Sequence, residues 1–439
     1  MNEKTTKIAI IVLLSLILFS AVISVYFYLF SNDTPQATTD EETVRKELFP
    51  PAVQNSPVKA GARTSTQRID GGAEAQNRED NGASSTGTGV TILDTRHISL
   101  KPTSEPSFAV KYDPKTKIKK LSVRYMERGT GHIYELPVDR NEPRKISDTT
   151  ITKVYETLWG EDGKTVITRR LGDTGLIENL YGFIAETTTG DEIDVGNLDY
   201  SKVSGDITAI TVSPDKTKFF YLNKVNDDAV GYISDFTAQT LPAKRNQIFS
   251  SPIGSWNISW PNSNIISLLT RPSGTIPGSI YFLNIRAQLF ERILGGINGL
   301  TALVSRDAKK ILYTNGGKGG ISTYVYSTDT NISDSLPIKT FADKCVWSFL
   351  DSNIVYCAIP TDIPTGNYPD DWYQGGISFN DEIWKIDIKT PKTEIIASKN
   401  LFERDGGVDV SSLVLSPDEE YLTFTNKKDS TPWLIKTRQ

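Results

Sequence analysis

The sequence predicts an all-β protein: a single β-propeller of four-stranded blades, seven in number, with six or eight as the alternative counts. Three observations lead there. Between about residues 110 and 418 one phrase recurs seven times, an apolar run, a tight polar turn, a second apolar run and an aromatic-rich third run. The turn is clearest at Ser213-Pro214-Asp215-Lys216-Thr217-Lys218, at Ser305-Arg306-Asp307-Ala308-Lys309-Lys310 and at Ser416-Pro417-Asp418-Glu419-Glu420. A period in the forties with several short strands per unit marks a propeller. Aromatic residues, a tenth of the chain, recur in the strand-like segments, as half-buried sheets require.

The chain begins with a different signal. From Ile8 to Phe30 no charge occurs, and Ile, Leu, Val and Phe dominate. As a helix this stretch spans roughly 34 Å, enough to cross a bilayer core. Its last turn is aromatic (Tyr26, Phe27, Tyr28, Phe30), which suits a membrane interface. A cleaved signal peptide would also start with basic residues such as Lys4 and Lys7. The apolar run exceeds the usual length for that, however, and no small-x-small site closes it. An uncleaved single-pass anchor is therefore expected over residues 1–30. Lys4 and Lys7 precede the helix and Asp33, Asp40, Glu41 and Glu42 follow it, so the N-terminus is expected in the cytoplasm and everything after Phe30 outside it.

Residues 31–89 change composition abruptly. Ser, Thr, Gly, Asn, Gln, Ala and Pro dominate and no apolar periodicity survives. Such a stretch buries too little surface to offset its ordering entropy, so a disordered linker is expected, with a reach of roughly 40–45 Å. The propeller is then assigned to residues 90–439.

Within it, the first strand of each unit is expected at Phe108–Val110, Val154–Glu156, Ile207–Val212, Trp256–Trp260, Leu300–Val304, Cys345–Trp347 and Leu413–Leu415. Second strands follow the polar turns, from Leu121–Val123 through Phe219–Tyr221 to Tyr421–Phe424. Third strands open on an aromatic, as in Ile280-Tyr281-Phe282 and Trp433-Leu434-Ile435. Pro sets φ after the first strand and Asp caps the reversal through its side chain. The final unit has no fourth strand of its own. A spare segment before the first unit, Val90 to Leu100, is expected to pair with that unit and latch the ring.

These residues carry a resemblance. Ser-Pro-Asp before an apolar-aromatic strand, with a third strand of the kind Ile383-Trp384-Lys385-Ile386-Asp387, resembles the TolB-type, WD-like propeller repeat over about four-fifths of the chain. The resemblance implies the fold and leaves the function open, since such propellers serve as scaffolds, receptors and gating domains of peptidases.

The sequence contains no recognisable catalytic constellation. No Gly-x-Ser-x-Gly elbow occurs, and Gly163-Lys164-Thr165 lacks the first glycine of a phosphate loop and reads as a blade turn. His97 and His132 have no Cys or second His nearby, so no metal site and no cofactor are expected. Acidic pairs such as Asp227-Asp228 and Asp381-Glu382 are expected in solvated loops. A net charge of −5 without a basic block gives nucleic acid no electrostatic footing.

Two candidate sites remain. The interval from Asp351 to Asp418 is the longest between turns, and the excess lies in Pro360–Asp381. There Tyr368, Asp370, Asp371, Trp372 and Tyr373 offer stacking faces and acceptors for a sugar or peptide, or else fold back as a plug. Cys345 and Cys357 flank the Leu350–Asn353 turn at near-equal distances and are disulfide candidates in an exported domain, with two small buried residues as the alternative. The expected role is a membrane-anchored, extracytoplasmic binding or scaffold module for a cell-envelope protein, peptide or glycan. An exported glycan hydrolase or lyase using funnel carboxylates is the alternative.

Overall fold

The computed structural model describes residues 95–112, 119–161, 163–189, 192–203, 205–236, 245–390 and 392–437. All of them belong to the compact unit Gly87–Gln439. The expected anchor and linker, 1–30 and 31–89, lie outside the described residues.

The fold is an all-β propeller of four-stranded antiparallel ladders. Five stand as separate four-stranded sheets, covering 207–251, 256–298, 301–335, 345–397 and 410–436, the last completed by Thr95–His97. The remaining eight strands form one sheet. This differs from the expected seven separate blades. The ladders 107–147 and 154–202 are fused by one parallel pair, Ser147 with Gly196, between the outer strands Arg144–Ser147 and Glu192–Lys202.

The recurrent turn has a shared mechanism. Ser213 Oγ donates to Asp215 Oδ1 at 2.5 Å and accepts from the Lys218 amide at 2.9 Å, while the Thr217 amide donates to the same carboxylate oxygen at 3.1 Å. Ser305 with Asp307 and Ser416 with Asp418 repeat this network. In each copy the fourth residue, Lys216, Ala308 or Glu419, takes the left-handed conformation, with φ of 56°, 57° and 58°. The side-chain oxygens supply turn partners that the backbone would otherwise lack, which is why a short polar segment reverses the chain without a hairpin glycine.

Inner and outer strands differ as the ring requires. Second strands such as Tyr421–Asn426 are buried almost throughout, whereas the outer strands Leu289–Asn298 and Ile332–Ser335 are largely exposed. The apolar clusters lie between successive ladders. Phe220, Trp256 and Leu268 join 207–251 to 256–298, and Tyr356, Phe402 and Trp433 join 345–397 to 410–436. Ile98, Phe108, Tyr125 and Leu434 close the ring between the last ladder and the first.

Of the expected latch, 90–94 lie outside the described residues; Thr95–His97 is strand, with Thr95 opposite Ile435 and His97 opposite Trp433. His97 packs against Trp433 with ring centroids 3.7 Å apart and planes tilted by 41°.

Candidate functional site

Second-to-third strand connections and ladder-to-ladder connections open on one rim, by the up-and-down topology. On that rim the connection after Ile354–Pro360 runs to Asp381–Asp387 and contains the one-turn helix Asp370–Tyr373. It folds inward. Tyr368 and Trp372 are buried with Ile321, Phe341 and Phe379 in a cluster of their own. Phe341 stacks on Trp372 at 5.1 Å between centroids.

Polar contacts fasten the connection to three neighbouring ladders and to the turn that leads into its own. That turn, Ala342–Lys344, supplies Asp343, which accepts from the Tyr373 hydroxyl. On the 256–298 ladder the Gly274 amide donates to Asp370 Oδ2 at 2.6 Å. On the 301–335 ladder Gly317 O accepts from the Tyr368 amide at 3.3 Å. On the 410–436 ladder Lys427 Nζ donates to Trp372 O at 2.7 Å. A Cβ at Gly274 would meet Tyr368 O at 2.6 Å, so only glycine permits this approach.

Beneath the helix lies a buried ionic knot. Lys344 Nζ, with no exposed side-chain surface, donates to Asp381 Oδ2 and Asp409 Oδ1 at 2.6 Å each and to Val410 O at 3.0 Å. It also lies 4.9 Å from the centroid of Trp372 and 5.0 Å from that of Phe379. Trp372 Nε1 donates to both Asp409 oxygens at 3.0 Å. Burial pushes the Asp381 carboxyl above the usual range, against the pull of Lys344 and of the Val410 amide.

Two of the five residues singled out in the sequence, Tyr368 and Trp372, are buried. Tyr368 and Trp372 face the interior, where no external sugar or side chain reaches them. Asp370 accepts from Gly274 and Asn367, and Asp371 accepts from the Asn367 amide at 2.7 Å. Of the five candidates only Tyr373 is exposed. Asp381, expected in a solvated loop, opens a strand and is wholly buried. Next to this knot, Cys345 and Cys357 are directly opposed on Cys345–Trp347 and Ile354–Pro360 and are joined as a disulfide, with Cα atoms 4.1 Å apart.

Two features of the same rim escaped the sequence. Six of the sixteen large apolar side chains exposed among the described residues sit in its connections, Leu100, Leu176, Ile253, Ile276, Tyr373 and Leu401, against one, Leu350, in the described connections of the opposite rim. Farther in, where first strands begin, Glu105 accepts from Ser412 Oγ and lies near enough to influence Glu156. Burial raises the Glu156 carboxyl; Arg169, whose Nη1 is 2.7 Å away, lowers it, and Glu105 raises it again, so that it ends above its ordinary range. No group of three or more His, Cys, Asp or Glu among the described residues could hold a metal ion.

By the arrangement of its ladders the chain is a β-propeller. It matches oligogalacturonate lyase from Vibrio parahaemolyticus at 10% identity and a TM-score of 0.47, over 78% of this chain and 99% of that one. It matches TolB from Acinetobacter baumannii at 12% identity and 0.40, over 67% and 64%. It matches tricorn protease at 12% identity and 0.44, over 75% of this chain and 34% of that one. No protein-family model matches the chain. No curated protein matches it.

Proposed function

We propose that this chain is an extracytoplasmic propeller tethered to the cell membrane by residues 8–30, and that it binds an envelope protein, peptide or glycan on the rim capped by the 361–380 connection. In this reading the eight-stranded sheet counts as two blades, giving seven around the ring. The supporting observation is the concentration of exposed apolar side chains in the connections of that rim, beside a connection fastened to three neighbouring ladders. A rigid platform with apolar contacts loses little entropy on binding, and exposed apolar surface on a soluble domain marks interaction sites.

The rim is tested by exchanging Leu176, Ile276 and Tyr373 for Ser, against a control exchanging Leu289, Ile332 and Leu350 at the opposite rim. Cell-envelope ligand retained by the wild-type 90–439 fragment should be lost from the first variant only; equal retention by both rejects the rim. The topology is tested by adding protease to spheroplasts. Release of a folded propeller fragment through cleavage in 31–89 is expected, and protection of the chain while a known surface protein is digested rejects it.

A second reading, an exported glycan hydrolase or lyase, draws on Glu105 and Glu156. A carboxyl raised by burial beside a second carboxylate resembles an acid and base pair held apart in proton affinity. Release of new reducing ends from neutral and acidic polysaccharides by wild type, and its loss in Glu156→Gln, would support this reading over binding alone.

A further inference from the structure

We propose that Ser107 and Lys216 form a nucleophile–base pair able to take up an acyl or phosphonyl group, a site separate from the rim described above. Lys216 occupies the left-handed fourth position of the turn between Ile207–Val212 and Lys218–Val225. Its side chain does not turn to solvent. It reaches the ladder 107–147, where Nζ donates to Ser107 Oγ at 3.0 Å and to Phe108 O at 3.1 Å. Ser107 and Lys216 are both half-buried rather than fully enclosed.

Among the described residues no acidic side chain pairs with the amine. Asp215 of the same turn is occupied by the Ser213 hydroxyl and the Thr217 amide. Glu161, on the neighbouring turn, is exposed and meets Lys216 through its backbone amide, which donates to Lys216 O at 3.0 Å. Arg124, opposite Ser107 across the strand pair, and Lys111 both direct their charge at Glu135. Burial accordingly pushes the Lys216 amine down to about 8. A neutral amine at hydrogen-bond distance from a hydroxyl is the geometry by which a lysine serves as general base to a serine.

The step balances without a cofactor. Ser107 Oγ bonds to the acyl carbon of an ester while its proton passes to Lys216 Nζ. The bond to the leaving alkoxide breaks, and that alkoxide takes the proton from Nζ. Water then repeats the sequence, releasing the acid and restoring Ser107. With a fluorophosphonate the corresponding bond forms to phosphorus, fluoride leaves, and the adduct persists.

That persistence supplies the test. Folded wild-type protein is treated with a small alkyl fluorophosphonate between pH 6 and 9.5 and mapped by mass spectrometry. An adduct on Ser107 is expected, its rate rising about tenfold per pH unit below pH 8 and levelling above, as titration of a single base requires. Lys216→Met should slow it by on the order of 100-fold, and p-nitrophenyl acetate hydrolysis should fall with it. No Ser107 adduct on folded wild type at pH 9 overturns the proposal, and that result needs no variant to fold. An adduct whose rate ignores both pH and Lys216→Met also overturns it, leaving Lys216 as a structural tie between ladders.

Discussion

Trp372 and Asp409 meet across two ladders, the indole N–H donating to both carboxylate oxygens at 3.0 Å while Lys344 holds the same carboxylate at 2.6 Å. The ring thus closes over a charge pair and supplies one of its hydrogen bonds. Trp372→Ala should cost about 3–5 kcal/mol by cavity formation. Trp372→Phe keeps most of the ring and strips one donor from a buried carboxylate, for about 1–3 kcal/mol. Tyr373→Ala, at an exposed position, should change stability much less. Urea denaturation of the three variants checks the order, and equal stability of Trp372→Ala and wild type rejects the plug.

Lys344 is the second prediction. Two buried carboxylates share it, so Lys344→Met leaves both unpaired, and breaking such a pair costs about 3–5 kcal/mol. The loss should depend on pH. Asp381 binds its proton more tightly folded than unfolded, and an acid raised in this way favours folding at low pH and opposes it as pH rises through the folded value. The gap between Lys344→Met and wild type should therefore narrow on acidification from pH 7 towards 4. Thermal melts across that range decide it; a gap that widens is the wrong sign.

Glu135 titrates in the opposite sense. Burial would raise its carboxyl, but Arg124, Lys111 and Arg144 outweigh burial and hold it at about 2 against a usual 4.5. A depressed acid contributes stability above the unfolded value and loses it as pH falls through the folded one. That contribution is on the order of 3 kcal/mol, lost between about pH 4.5 and 2. Glu135→Gln should lower the melting temperature at pH 7 and flatten its acid dependence below pH 4.5. An unchanged acid slope refutes the assignment.

What was legible in the sequence follows from distance along the chain. The strands Ile207–Val212 and Cys345–Trp347 stand where alternation and turn chemistry place them, because Ser213 and Asp215 act within five residues of each other. The ionic knot was illegible. Lys344 lies 37 residues from Asp381 and 65 from Asp409, and each alone resembles a surface charge. The aromatic connection offered rings without direction, and only Phe341 and Asp409 from neighbouring connections turn them inward. The sheet fusion rests on one pair, Ser147 with Gly196, which no local pattern announces.

The disulfide gives a fourth prediction. Cys345 and Cys357 are separated by 12 residues, and closing so short a loop restricts the unfolded chain by about 2–3 kcal/mol. Reduction under denaturing conditions, followed by alkylation and refolding, should lower stability by that amount while the ladder register survives. A larger fall that abolishes folding would mean that the alkyl groups disrupt the buried site, and Cys345→Ala with Cys357→Ala separates the two causes.

The latch is the last. Thr95–His97 completes the final ladder, Arg96 Nη2 donates to Val138 O and Arg140 O at 3.0 Å each on the first ladder, and Ile98 is buried between them. One short strand thus supplies an edge to one ladder and hydrogen bonds to the next, where the two chain-distant ends of the propeller meet. Deleting residues 95–100 removes ladder hydrogen bonds, the His97–Trp433 packing and the Ile98 contacts, on the order of 5 kcal/mol together. It also exposes the unpaired edge of Thr431–Lys436, which should promote association of the truncated protein. Deleting residues 32–83 should do neither. Calorimetry and light scattering on the two truncations compare them directly, and equal melting temperatures with equal monomer content would show that the ring closes without its latch.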